Sequence, residues 1–165
     1  NKKMILNKPC SAIIFPGQGS QYVGMGVGLA DKYDAAKEVF DEVDEALGQG
    51  LFKIIKEGPE SELRLTSNAQ PALMAVSLAV VRVIENISNH NIQNMVSFLA
   101  GHSLGEYSAL TAAGSFSIAD AAKLLKLRVD VWSDCALLSC VSPSNAFSGP
   151  KPSYPARIGQ SAAAL

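Results

Sequence analysis

Met95-Val96-Ser97-Phe98-Leu99-Ala100-Gly101-His102-Ser103-Leu104-Gly105-Glu106-Tyr107 is the stretch on which the reading of this chain turns. Met95 to Leu99 is a short apolar run that predicts a buried strand, and it passes through Gly101-His102-Ser103-Leu104-Gly105 into an alanine-rich stretch that predicts a helix. A Gly-x-Ser-x-Gly bend between strand and helix projects the serine oxygen from its apex, because the flanking glycines avoid side-chain collisions. Ser103 is therefore a candidate nucleophile. The helix behind it brings backbone N–H groups and a partial positive charge, with the Leu104 amide as the natural donor to an oxyanion. The same five residues also suit a purely structural glycine turn, so the rest of the chain has to separate the two readings.

Upstream, Ala12-Ile13-Ile14-Phe15 stops at Pro16-Gly17 and predicts a first buried parallel strand. Gly17-Gln18-Gly19-Ser20-Gln21 follows it. A dinucleotide loop would need glycine where Tyr22 stands, and a P-loop would need Gly-Lys where Gly24-Met25 stands, so neither nucleotide fingerprint is present. What remains is the Gln18 amide between two glycines, placed beside a reacting carbonyl or simply in a polar turn. Asp34 to Leu47 predicts a helix with Val39, Phe40, Val43, Ala46 and Leu47 on one stripe, ended by Gly48. Residues 50 to 68, broken by Gly58-Pro59, predict short helical turns. A long helix is then expected from Pro71, apolar nearly all round from Ala72 to Ile84, as for a helix sandwiched against a sheet. Asn86 to Asn94 reads as a polar connection. Ile118 to Arg128 predicts a further helix, capped by Ser117, with Ile118, Ala121, Ala122 and Leu125 on one face.

Composition narrows the class. With 165 residues and 48% hydrophobic content the chain can bury one sizeable core. Fourteen basic against fifteen acidic residues give a net charge of -1, which nominates neither nucleic acid nor a membrane surface as partner. Cys10, Cys135 and Cys140 lack metal-ligand spacing and suit a reduced, cytoplasmic setting. Asn7-Lys8-Pro9 interrupts the opening basic and apolar residues, so no secretion signal is read, and the apolar run Ala72 to Val81 is too short to span a bilayer.

Three motifs taken together are more specific than any one: Phe15-Pro16-Gly17-Gln18-Gly19-Ser20-Gln21, Asn68-Ala69-Gln70-Pro71-Ala72-Leu73 and Gly101-His102-Ser103-Leu104-Gly105-Glu106-Tyr107, in that order. Over roughly residues 10 to 128 the chain resembles the N-terminal portion of the malonyl-CoA:acyl carrier protein transacylase family, the acyl carrier protein S-malonyltransferases. The resemblance implies an α/β fold, a three-layer parallel-sheet core like that of an α/β-hydrolase, with the C-terminal half absent. It implies that Ser103 is the residue malonylated, that Gln18 and the Leu104 amide receive the oxyanion, and that Gln70 lines the same pocket. Arg128, which on the residues alone reads as an ordinary surface arginine, is matched to the group that pairs with the malonyl carboxylate. Malonyl-CoA and acyl carrier protein are the implied partners, in fatty acid biosynthesis, through a ping-pong reaction needing no metal or redox cofactor.

The family's general base is a histidine far downstream, matched by neither His90, read as solvated, nor His102, read as packing and hydrogen bonding behind the bend. The likeness is expected to end at Arg128, giving a partial acyltransferase domain over 10–128 and an aberrant tail over 129–165. From Cys135 onward that tail has no acidic residue and holds half of the eight prolines, a change of composition that a frameshift near codon 129 would produce. The 165 residues are accordingly expected to be incomplete and inactive, associating through exposed apolar surface. A serine hydrolase of the lipase or patatin sort shares the Gly-x-Ser-x-Gly bend, but has no use for Gln18 or a carboxylate clamp. A domain of a modular synthase shares all three motifs; the short stretch from Asn1 to the first strand favours a free-standing enzyme.

Overall fold

The computed structural model describes residues 11–138, with side chains as far as Val131. The expectations for the tail from Ser139 to Leu165, and for Cys10 and Cys140, lie outside the described residues. In chain order the elements are β1 (Ala12–Phe15), α1 (Val27–Lys32), α2 (Asp34–Leu47), α3 (Leu51–Glu57), α4 (Glu60–Arg64), α5 (Thr66–Ser88), α6 (Ile92–Met95), β2 (Phe98–Gly101), α7 (Leu104–Ala112) and α8 (Ile118–Leu138). β1 and β2 pair in parallel, from Ala12 opposite Phe98 to Phe15 opposite Gly101. The fold is α/β, as the resemblance implies, and α7 lies on both strands while also touching α5 and α8.

The core sits among the helices. α2 buries Ala36, Val39, Phe40, Val43 and Leu47, one face at helical spacing, and stops at Gly48, which adopts the left-handed conformation (φ 62°). That stripe packs on α5 and α8. Ile118, Ala121, Ala122 and Leu125 of α8 are all buried, as the sequence predicts. Ser117 caps α8 by accepting from the Asp120 amide at 3.0 Å and donating to the Asp120 carboxylate at 2.7 Å.

Five expectations need correction, the first being that α8 runs on to Leu138, into the stretch assigned to the tail, rather than ending at Arg128. α5 begins at Thr66 rather than at Pro71, which stands inside the helix. The Pro71 ring withholds a donor only from the Ser67 carbonyl, one turn back. The extra turn is tied down by Asn68, which donates to the Glu62 carbonyl at 2.9 Å and accepts from Gln49 at 3.3 Å. α5 is also surrounded by α2, α7 and α8 rather than pressed against the sheet. By length and composition this 23-residue helix would suffice to cross a bilayer, but half of its most apolar window is covered by protein. The second strand starts at Phe98; Met95 ends the short helix α6, which begins at Ile92 in the connection read as polar. Finally, neither strand is buried on both faces: Ile14 is 76% and Phe98 61% exposed, on the side of the sheet away from α7.

Candidate active site

The bend after β2 is shaped by contact between backbones. A β-carbon on Gly105 would collide with the Phe15 carbonyl, and one on Gly101 would fall inside the backbone of Gly105. Both glycines of the motif therefore let the start of α7 press directly on the strand ends. Hydrogen bonds fix the bend: the His102 amide donates to Phe15 O (3.2 Å), the Gly105 amide to His102 O (3.0 Å) and the Glu106 amide to Ser103 O (3.0 Å). Ser103 is left at φ 56° and ψ -112°, a conformation that non-glycine residues rarely adopt. Among the described residues the Leu104 amide, first in α7, is not committed to a backbone acceptor.

Arg128 reaches this apex from α8. Its Nη2 donates to Ser103 Oγ at 3.0 Å. Three contacts hold α8 in place for that reach: the buried face from Ile118 to Val129, the Glu42 carboxylate accepting from the Ala119 amide at 3.2 Å, and Lys126 Nζ donating to Leu47 O at 3.4 Å. Arg128 is thus no free surface residue, and its guanidinium lies over the Tyr107 ring, 5.7 Å from the centroid. Gln18 stands in the loop leaving β1. That loop adjoins the bend at Gly17, where a β-carbon would come within 2.7 Å of the His102 ring. The Gln18 amide donates to Thr66 Oγ1 at 3.3 Å, at the start of α5. Gln70, one turn further along α5, is 4% exposed, and its Oε1 has no hydrogen-bond partner among the described residues.

The structure thus brings Ser103 and Arg128 into direct contact and sets the Gln18 loop beside them. His102 differs from expectation. Its backbone supports the bend, and the residue is exposed, with its ring against Gly17 rather than buried behind the bend. His90 is exposed as read, its Nδ1 within 2.7 Å of Ser88 O. Two residues escaped the sequence reading. Tyr107 stands in the Ser103 motif itself, but what it touches is Arg128 on another helix. Thr66 was not detectable, since 48 residues separate it from Gln18. Taken alone, this geometry offers a hydroxyl at a strained apex, a helix-terminal amide and a cation at bonding distance.

Comparison with known proteins places the chain in a family. The chain is 50% identical over 117 residues to the malonyl CoA-acyl carrier protein transacylase of Bacillus subtilis, covering 71% of this chain and 35% of that protein. It is similar in structure to an acyl-carrier-protein-S-malonyltransferase from Bartonella henselae, with a TM-score of 0.69 and 58% identity over 72% of this chain and 38% of that one. A further similar structure is that of a type II PKS acyl-carrier protein in complex with its malonyl-transacylase (TM-score 0.68, 41% identity, 74% of this chain and 38% of the other). The chain thus spans little more than a third of the length of these relatives. The family model described as acyl transferase domain matches residues 12–137, passing Arg128, where the sequence reading ended the likeness. With most of its length so matched, the chain belongs to the acyl transferase domain family.

Proposed function

We propose that this chain carries the acyl-accepting site of a cytoplasmic malonyl-CoA:acyl carrier protein transacylase of fatty acid biosynthesis. In this reading Ser103 Oγ attacks the thioester carbonyl of malonyl-CoA. The C–S bond breaks, coenzyme A departs as thiol, and the malonyl group rests on Ser103 until the phosphopantetheine thiol of acyl carrier protein takes it. The Leu104 amide and the Gln18 side chain receive the oxyanion, Gln18 leaving Thr66 to do so, and Gln70 lines the pocket. The observation that carries the reading is the 3.0 Å bond between Arg128 and Ser103. A guanidinium beside the nucleophile has little purpose for a neutral acyl group, whereas it grips the free carboxylate of a malonyl thioester through two parallel bonds. This favours a diacid transacylase over a general serine hydrolase.

Serine attack needs a base for the hydroxyl proton. The 165 residues hold two histidines, His90 in an exposed loop with its Nδ1 at the Ser88 carbonyl and His102 with its ring against Gly17, so the chain by itself is expected to be inert toward malonyl-CoA. The test is chemical rescue. With imidazole supplied, malonyl-CoA should leave a malonyl adduct that peptide mass spectrometry maps to Ser103 and that Ser103→Ala abolishes. No adduct in imidazole would refute the nucleophile, and fast stoichiometric labelling without it would refute the inertness.

A further inference from the structure

We propose that Tyr107 is a positioning residue for Arg128, supporting its guanidinium so that the edge which meets a substrate carboxylate faces Ser103. The proposal rests on the reading of Arg128 as the carboxylate clamp, and deepens it by naming what selects acyl groups that bear a carboxylate. Ser103 and Tyr107 stand at the cap and in the first turn of α7, and the side chains of both meet Arg128. Arg128 arrives from α8. Its Cζ lies 5.7 Å from the centroid of the Tyr107 ring while Nη2 bonds Ser103 Oγ at 3.0 Å. That separation is within the range at which a ring's negative face attracts a cation.

The geometry has a chemical consequence. Arginine has a long, flexible stem, and its N–H donors all point outward in the guanidinium plane. A ring that draws the cation toward its negative face restrains the group through charge rather than by accepting an N–H bond, so the donors can serve a carboxylate's two oxygens. A hydrogen-bonding or acidic neighbour in the same place would compete for the donors instead. Tyr107 is half-buried, in the first turn of α7. The support comes from the ring, so phenylalanine should replace tyrosine and leucine should not.

Nuclear magnetic resonance of the 15N-labelled chain tests this without requiring turnover. The Arg128 Nε–Hε signal, assigned through its loss in Arg128→Lys, should show the displacement caused by the ring current of a nearby aromatic face. It should keep that displacement in Tyr107→Phe and lose it in Tyr107→Leu. Titration with sodium malonate should move the signal, with affinity retained in Tyr107→Phe and weakened about fivefold in Tyr107→Leu. An undisplaced signal in the wild-type chain would overturn the contact even if the leucine variant fails to fold. Equal malonate affinity in a folded Tyr107→Leu would overturn the positioning role. A displaced signal that malonate leaves unmoved would overturn the carboxylate clamp itself, and with it this proposal, while leaving the contact in place.

Discussion

Ser103 holds its backbone in a region that costs a non-glycine residue about 1–3 kcal/mol, and the cost is met by the contacts that force the bend. Replacing Ser103 by alanine removes the hydroxyl but keeps the strain; replacing it by glycine removes both. Thermal unfolding should therefore find Ser103→Gly more stable than Ser103→Ala by about 1 kcal/mol, or about 3 °C, despite the greater freedom glycine gives the unfolded chain. Gly105 offers the opposite case. A methyl group there meets the Phe15 carbonyl, a backbone neighbour with no rotamer to escape into. Gly105→Ala should cost about 3 kcal/mol in urea denaturation, the upper end of overpacking penalties, and an unchanged midpoint would show that the helix start is not pressed on the strand. At this scale much was legible. The spacing of Gly101, Ser103 and Gly105 states the bend outright, because only that backbone requires small residues on both sides of an apical serine. Tyr107 and Thr66 were not read, because what they touch comes from elements far along the chain.

Among the elements, β1 and α2 have the bounds that the sequence predicts, because each ends on a residue that cannot continue it: Pro16 for the strand, Gly48 for the helix. α5 was misread where the signal was ambiguous. Proline commonly opens a helix, and nothing near Thr66 announces that Asn68 will anchor an earlier turn through Glu62 and Gln49. The junction of α2 and α3 carries its own prediction. Gly50 has no side chain with which to cap α3, and Asp44 of α2 does so instead, accepting from the Phe52 amide at 3.0 Å. Burial holds the Asp44 carboxyl above the usual carboxylate range, against the pull of the Phe52 and Leu51 amides, and the nearby Asp41 adds to the rise. A raised folded value means that the native state prefers the protonated acid. Stability from this group is thus fully present below its unfolded value of 3.8 and is lost as pH rises through the folded value. Asp44→Asn keeps an acceptor and removes the titration. Its melting temperature relative to wild type should therefore become more favourable between pH 3 and pH 6; a trend in the other direction would contradict this account of Asp44.

In the whole molecule, one face of the parallel pair is covered by α7 and the other presents Ile14 and Phe98 to solvent. Parallel strands are ordinarily buried on both faces, so this surface invites association. The purified chain should associate with rising concentration in sedimentation velocity, and Ile14→Thr with Phe98→Thr should weaken that association; identical sedimentation of wild type and variant would place the contact elsewhere. Exposed apolar surface is expected from the sequence, but not its place on the strands, because Ala12 to Phe15 and Phe98 to Leu99 look like any interior strands. The chain spans little more than a third of its relatives' length, and within that third it brings together the Ser103 hydroxyl and the Arg128 guanidinium, 25 residues apart in sequence. That pairing is the centre of the functional proposal. The most direct test is the ratio of malonyl to acetyl labelling at Ser103 in imidazole, in the wild-type chain and in Arg128→Ala. The ratio should fall about ten- to a hundredfold in the variant through loss of the malonyl adduct, with acetyl labelling preserved or raised. Equal loss of both adducts, or an unchanged ratio, would contradict the role given to Arg128.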